Sequence, residues 1–127
     1  MDEVLLHRSL KDYELGMFLL KAYLDNTYDD LNNALFHLQQ AIEKAFKVYL
    51  KAKGIKYPRT HDIGRLRMLA EHEGLPNYAT IEKYEDEIVN WEANTRYEFY
   101  TLDEVDVVYA ITLDYCELYN YVNRSFN

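Results

Sequence analysis

Five polar residues, His37, Gln40, Lys44, Lys47 and Lys51, follow one another at alternating intervals of three and four. On a helix that spacing lines them up along one face. A row made of an imidazole, an amide and three ammonium groups can grip a phosphate and a base, or it can be a solvated face. The row leads into the most basic part of the chain. From Lys44 to Arg67 there are eight basic residues (Lys44, Lys47, Lys51, Lys53, Lys56, Arg59, Arg65 and Arg67) against one acid, Asp62, a local charge of +7. The chain as a whole is −8, so the remainder carries −15. A basic zone on an acidic body suits a phosphate or a short stretch of nucleic acid; the alternative is a lysine-rich helix end whose cations complement the helix dipole. Within the run, Thr60-His61-Asp62 is flanked by Arg59 and Arg65. Thr60 reads as an N-cap, and free N–H groups beside two guanidinium groups favour an anion, with His61 as a capping or packing residue. Candidate ligand-binding residues are therefore Lys44, Lys47, Lys51, Arg59, His61 and Arg65.

Other chemistries find no support. His7, His37, His61 and His72 show no metal-ligand spacing, Cys116 stands alone, and there is no HExxH, zinc pattern or glycine-rich phosphate loop. Neither a metal nor a cofactor is expected. One cysteine forms no intramolecular disulfide and fits a reducing compartment, and on an apolar helix face it reads as a small hydrophobe. The start, Met1-Asp2-Glu3, is too acidic for a secretory signal, and no apolar run reaches the length of a membrane span. A cytoplasmic location is expected.

With 127 residues, four Gly and two Pro, the chain reads as one domain, residues 1–127, dominated by helix. A first helix over about Asp2–Asp25 carries the stripe Leu6, Leu10, Tyr13, Met17, Leu20 and Leu24. A second, about Tyr28–Lys53, carries Leu31, Ala34, Leu35, Leu38, Ala41, Ile42, Ala45, Phe46 and Tyr49, with Gly54 beyond its end. Pro58 keeps the next few residues out of a helix. A short third helix is expected over His61–Glu73 and a fourth over Ala79–Asn94. After an irregular stretch, a fifth runs over about Asp103–Arg124. The apolar arc of this last helix, from Val105 and Tyr109 round to Tyr115 and Val122, is wider than one packed face needs, so it should have two neighbours, from the same chain or from a second subunit. Thirteen tyrosines suit helix contacts and half-buried interfaces. The economical architecture is an all-α, antiparallel, up-and-down bundle of four or five helices.

Three blocks, A-L-F-H-L-Q-Q-A-I-E-K-A-F-K from Ala34 to Lys47, Y-P-R-T-H-D-I from Tyr57 to Ile63 and W-E-A-N-T-R-Y from Trp91 to Tyr97, resemble in kind and order the HEPN domain, a helical nucleotide-binding module of higher eukaryotes and prokaryotes. The resemblance runs over about residues 5–122. It implies a bundle of four or five helices, often homodimeric, that commonly acts with a small nucleotidyltransferase partner. Some members are metal-independent ribonucleases, frequently toxins, and carry an Arg followed four to six residues later by a His, late in the domain near the dimer interface. Here the late arginine is Arg96, and Tyr97-Glu98-Phe99-Tyr100-Thr101-Leu102-Asp103 come after it without a His. Hydrolysis through a neighbouring hydroxyl of the RNA needs proton transfer near neutral pH, the usual work of His. Arg65 and Arg67 match the spacing to His72, but on the short third helix rather than late in the chain.

The reading that results is a non-catalytic nucleotide- or RNA-binding domain, homodimeric and paired with a nucleotidyltransferase, with Arg96 added to the ligand-binding set. The alternatives are an RNA-cleaving enzyme that uses Arg96 with Glu98 or Tyr100 in the missing role, and a purely structural interaction domain.

Overall fold

The computed structural model describes residues 1–91 and 102–126, with the side chains of Leu102 and Asp103 left aside. Arg96, Glu98 and Tyr100, with most of the Trp91–Tyr97 block, lie outside the described residues. Six helices are described: α1 (Glu3–Leu24), α2 (Leu31–Ala52), α3 (Ile63–His72), α4 (Ala79–Lys83), α5 (Glu85–Asn90) and α6 (Leu102–Ser125). The all-α bundle expected from periodicity is the fold found, and no strand occurs among the described residues.

The helix ends follow local chemistry. Asp2 and Asp30 each turn a carboxylate onto a free backbone N–H, of Leu5 and Asn33, and so begin α1 and α2. Gly54 (φ 73°) and Gly74 (φ 99°) sit just past α2 and α3 in the left-handed region that a β-carbon disfavours. Each stands in a reversed turn in which the next residue's N–H bonds back, Ile55 to Leu50 O and Leu75 to Ala70 O.

Two expectations need correction. The third helix is not capped by Thr60. Asp62 is its N-cap, accepting from Arg65 N at 3.2 Å, while Thr60 Oγ1 accepts from Asp62 N at 3.0 Å. A carboxylate two residues further on reaches the free N–H that the hydroxyl does not, so His61 lies before the helix rather than in it. The expected fourth helix is two short ones that break at Tyr84, whose ψ of 16° leaves the helical run.

α2 is the central element. It packs along α1, antiparallel: Asp2 meets Lys51, Ser9 meets Ala41 and Asp12 meets Lys44. α6 runs parallel to α2, with Tyr115 level with Ser9 and Ala41, and Tyr121 and Phe126 against Tyr49. Leu35, Leu38, Ile42, Phe46 and Leu50 of α2, Leu20 of α1, Leu66 of α3, Ile88 of α5 and Ile111 and Leu118 of α6 form one continuous core. The Ser9 hydroxyl donates to Ala41 O at 2.7 Å and accepts from Tyr115 at 2.8 Å, which closes a buried polar tie across α1, α2 and α6.

Candidate functional site

On the face of α2 turned toward α3, one carboxylate organises a group of polar side chains. Glu43 is buried among the core residues Ile42 and Phe46, with its side chain 5% exposed. A carboxylate taken out of water must be surrounded by donors. Gln39 Nε2 donates to Glu43 Oε1 at 3.2 Å, Lys47 Nζ donates to Oε2 at 3.2 Å, and His61 Nδ1 donates to Oε1 at 2.7 Å. Gln40 Nε2 donates to Gln39 Oε1 at 2.7 Å and extends the chain of bonds toward the surface. Gln39 and Glu43 are one turn apart, as are Glu43 and Lys47, so the four-residue spacing from Gln39 to Lys47 itself builds the α2 part of the group.

His61 reaches this carboxylate because the connection from Gly54 to Asp62 folds back along α2. Tyr57 lies under Lys47, with the ammonium 5.9 Å from its ring centroid, and His61 follows four residues later. The Asp62 cap leaves His61 in an extended stretch that can approach α2. Its imidazole is about half exposed. An imidazole oriented through Nδ1 by a buried carboxylate can carry charge toward a phosphate or move a proton.

The predicted stripe on α2 is divided between two sides. His37 and Lys44 both turn to Asp12 of α1, His37 Nδ1 donating to Oδ1 at 2.9 Å and Lys44 Nζ donating to Oδ2. Lys51 pairs with Asp2 at 2.9 Å. The backbone N–H of Leu5 and then Lys51 hold the Asp2 carboxyl below its ordinary range, and Asp2 in turn raises Lys51. Lys47 alone of the three lysines joins His61 at Glu43. Arg59 and Arg65 are exposed at the same corner, and neither forms an ion pair among the described residues; the same holds for the exposed Lys53 and Lys56. Lys53 sits 5.6 Å from the Tyr49 ring centroid.

Arg67 has a different role. Its side chain is 10% exposed, and its Nε donates to Glu85 Oε2 at 2.7 Å and its Nη1 to Glu71 Oε2 at 3.1 Å. These carboxylates, Glu85 foremost, push its pKa up further. It clamps α3 to α5. His72 points into solvent beside Glu73, so neither Arg65 nor Arg67 forms a site with it.

Glu43 and Gln39 are the residues that periodicity missed. The signal available was a Gln and a Glu one turn apart on the mostly apolar side of a helix. No group of acids, histidines and cysteines among the described residues could hold a metal ion.

The order of these parts, a Gln-Gln-x-x-Glu-Lys helix that receives the histidine of a following Thr-His-Asp turn, coincides with a match to the family model for the HEPN domain over residues 4–122. The chain belongs to the HEPN family. That family covers nucleotide- and RNA-binding or ribonuclease-like domains, and this HEPN domain falls within that class. No curated protein and no solved structure matches the chain. Among the described residues, no helix of this HEPN domain is long and apolar enough to cross a membrane.

Proposed function

We propose that this HEPN domain binds a nucleotide or a short stretch of RNA through its phosphates at the α2–α3 corner, without cleaving it, as a homodimer that works beside a nucleotidyltransferase in the cytoplasm. The observation that carries the binding site is the difference between the cations of the basic zone. Lys44, Lys47, Lys51 and Arg67 are engaged by Asp12, Glu43, Asp2 and Glu85, whereas Lys53, Lys56, Arg59 and Arg65 cluster along the connection into α3 with exposed charges. The anion site of this proposal is thus narrower than the basic zone, and centres on Arg59, His61 and Arg65 with Lys47 behind them. Membership of a nucleotide- and RNA-binding family supports the ligand class. Homodimerisation and the nucleotidyltransferase come from the family resemblance. The non-catalytic reading rests on the sequence after Arg96, which holds no histidine before Asp103.

Fluorescence anisotropy with a labelled RNA oligonucleotide and with a labelled nucleotide tests the site. Replacing Arg59 and Arg65 by Ala together should weaken binding at least tenfold at low salt, each lost phosphate contact being worth about 1 kcal/mol. Unchanged affinity would place the ligand elsewhere. Incubation of the protein with RNA, beside Arg96→Ala and His61→Ala controls, should show no loss of full-length RNA that depends on either residue. Loss abolished by either substitution would make the domain an enzyme.

A further inference from the structure

Two exposed faces of this bundle complement each other. On α1, Lys11, Leu15, Phe18 and Lys21 are spaced at intervals of four, three and three, away from the side that packs on α2; Leu15 is 42% and Phe18 70% exposed. On α6, Asp106, Tyr109, Leu113 and Glu117 are spaced at three, four and four; Tyr109 is 38% and Leu113 70% exposed. Each face is an apolar pair between two like charges, cationic on α1 and anionic on α6. Two exposed apolar pairs, Leu15 with Phe18 and Tyr109 with Leu113, on helices that touch at Tyr13 and Tyr115 are more than single scattered exposures.

The relative heights of the two helices sharpen this. Ser9 and Tyr13 of α1 meet Tyr115 of α6, with Tyr13 and Tyr115 stacked at 4.9 Å, and Cys116 Sγ donates to the Tyr13 hydroxyl at 3.4 Å. The helices are antiparallel and rise equally per residue, so each step up one is a step down the other. Tyr115 meets both Ser9 and Tyr13, and counted from these two contacts Leu15 and Phe18 lie within about one turn of Leu113 and Tyr109, and Lys11 and Lys21 within about one turn of Glu117 and Asp106. A two-fold axis parallel to the helices leaves every height unchanged and sets α1 of one copy beside α6 of the other, antiparallel as they are within a protomer.

We infer that the homodimer forms through a four-helix arrangement of α1 and α6 from two copies, in which Leu15 and Phe18 of one copy pack on Tyr109 and Leu113 of the other and Lys11 and Lys21 face Glu117 and Asp106. The interface is isologous, each face used twice, so the apolar area and the ion pairs are doubled by symmetry. The occupant is a second copy because the charge pattern, the polarity and the heights that one face requires are those the other supplies. Lys11 is also 3.2 Å from Glu14 of its own helix, an exposed pair that costs little to share. The inference rests on the homodimer reading above and adds the surface that makes it.

Sedimentation equilibrium on the full chain tests it. The wild type should be dimeric, and Phe18→Glu and Leu113→Glu should each raise the dimer dissociation constant at least about tenfold, as an apolar anchor replaced by a charge does. Both sites are highly exposed, so the circular dichroism spectrum should not change, and melting should fall only by what the lost dimer contributes. Lys11→Glu should weaken the dimer, and Lys11→Glu with Glu117→Lys in the same chain should restore it. A dimer untouched by Phe18→Glu and Leu113→Glu overturns the interface and leaves the homodimer reading standing. A wild type that sediments only as monomer overturns both.

Discussion

Glu43 shows how a single buried charge sets the chemistry around it. Its carboxylate receives donors from Gln39, Lys47 and His61, and all three lose their acceptor or counter-ion if it is neutralised or shortened. Glu43→Ala should cost about 2 kcal/mol in urea denaturation, below the full penalty for a broken buried pair because Lys47 and His61 reach solvent. The same variant should weaken ligand binding, since His61 would lose its orientation. The tyrosines set the behaviour at high pH. Burial, helped at Tyr13 by the Cys116 contact, raises Tyr13 and Tyr78 to about 12, and burial pushes Tyr115 up as well. A phenol raised in the folded state holds its proton there while the unfolded chain releases it near pH 10. The contribution of these phenols to folding stability should therefore be constant below about pH 9 and fall as pH rises from about 10 to 12. Denaturation curves through that window, beside Tyr115→Phe, check the sign; a rise in stability would contradict the burial of these groups. At this scale the sequence made residue types legible but not their partners. Nothing in the spacing of Lys44 or Lys51 shows that Asp12 and Asp2, 32 and 49 positions away, would engage them.

The elements are held at a few close approaches. Gly16 brings α1 against α2 so tightly that a β-carbon there would lie 2.8 Å from Leu38 Cδ2 and 3.1 Å from Ala34 O. Gly16→Ala gains up to about 1 kcal/mol of helix propensity but forces Leu38 and the α2 backbone away, and overpacking of this kind costs about 1–3 kcal/mol. A lower melting temperature is the expected net result. α3 and α5 meet through Arg67, with Glu85 close enough that a β-carbon on Gly64 would be 2.9 Å from its Oε1. Arg67→Met should leave Glu85 without its partner and cost about 3 kcal/mol, with faster amide exchange concentrated in α3–α5. If exchange quickens evenly over the whole chain, the clamp is not local. The apolar stripes of α1 and α2 made these long helices legible within a few residues of their ends, because 3.6-residue periodicity over six turns leaves little choice. The shorter elements were less legible. The cap of α3 turned on whether Thr60 or Asp62 reached a free N–H, and the break at Tyr84 on backbone angles in a segment with no Gly or Pro.

At the scale of the molecule, the acidic body and the basic zone act against each other. The residues outside 44–67 carry −15, so a polyanion is repelled by most of the chain, and the binding proposed above depends on the exposed cations of the connection into α3. Four of the eight cations of the zone are already matched to acids of the fold, and a phosphate that displaced Asp2 or Asp12 would gain one charge contact by losing another. The exposed Arg59 and Arg65 make no such exchange, so their contacts release counter-ions in full. The dependence of RNA affinity on salt should distinguish the two groups. For single strands the logarithm of the binding constant falls with the logarithm of salt by about 0.7 per phosphate contact. Arg59→Ala with Arg65→Ala should therefore flatten the slope by about 1.4, whereas Lys44→Ala with Lys51→Ala should leave it nearly unchanged and lower stability instead, through the carboxylates of Asp12 and Asp2 left without their lysines. Equal flattening by the two pairs would mean that the ligand reaches across α2 to the α1 side, and that the ion pairs there open when it binds.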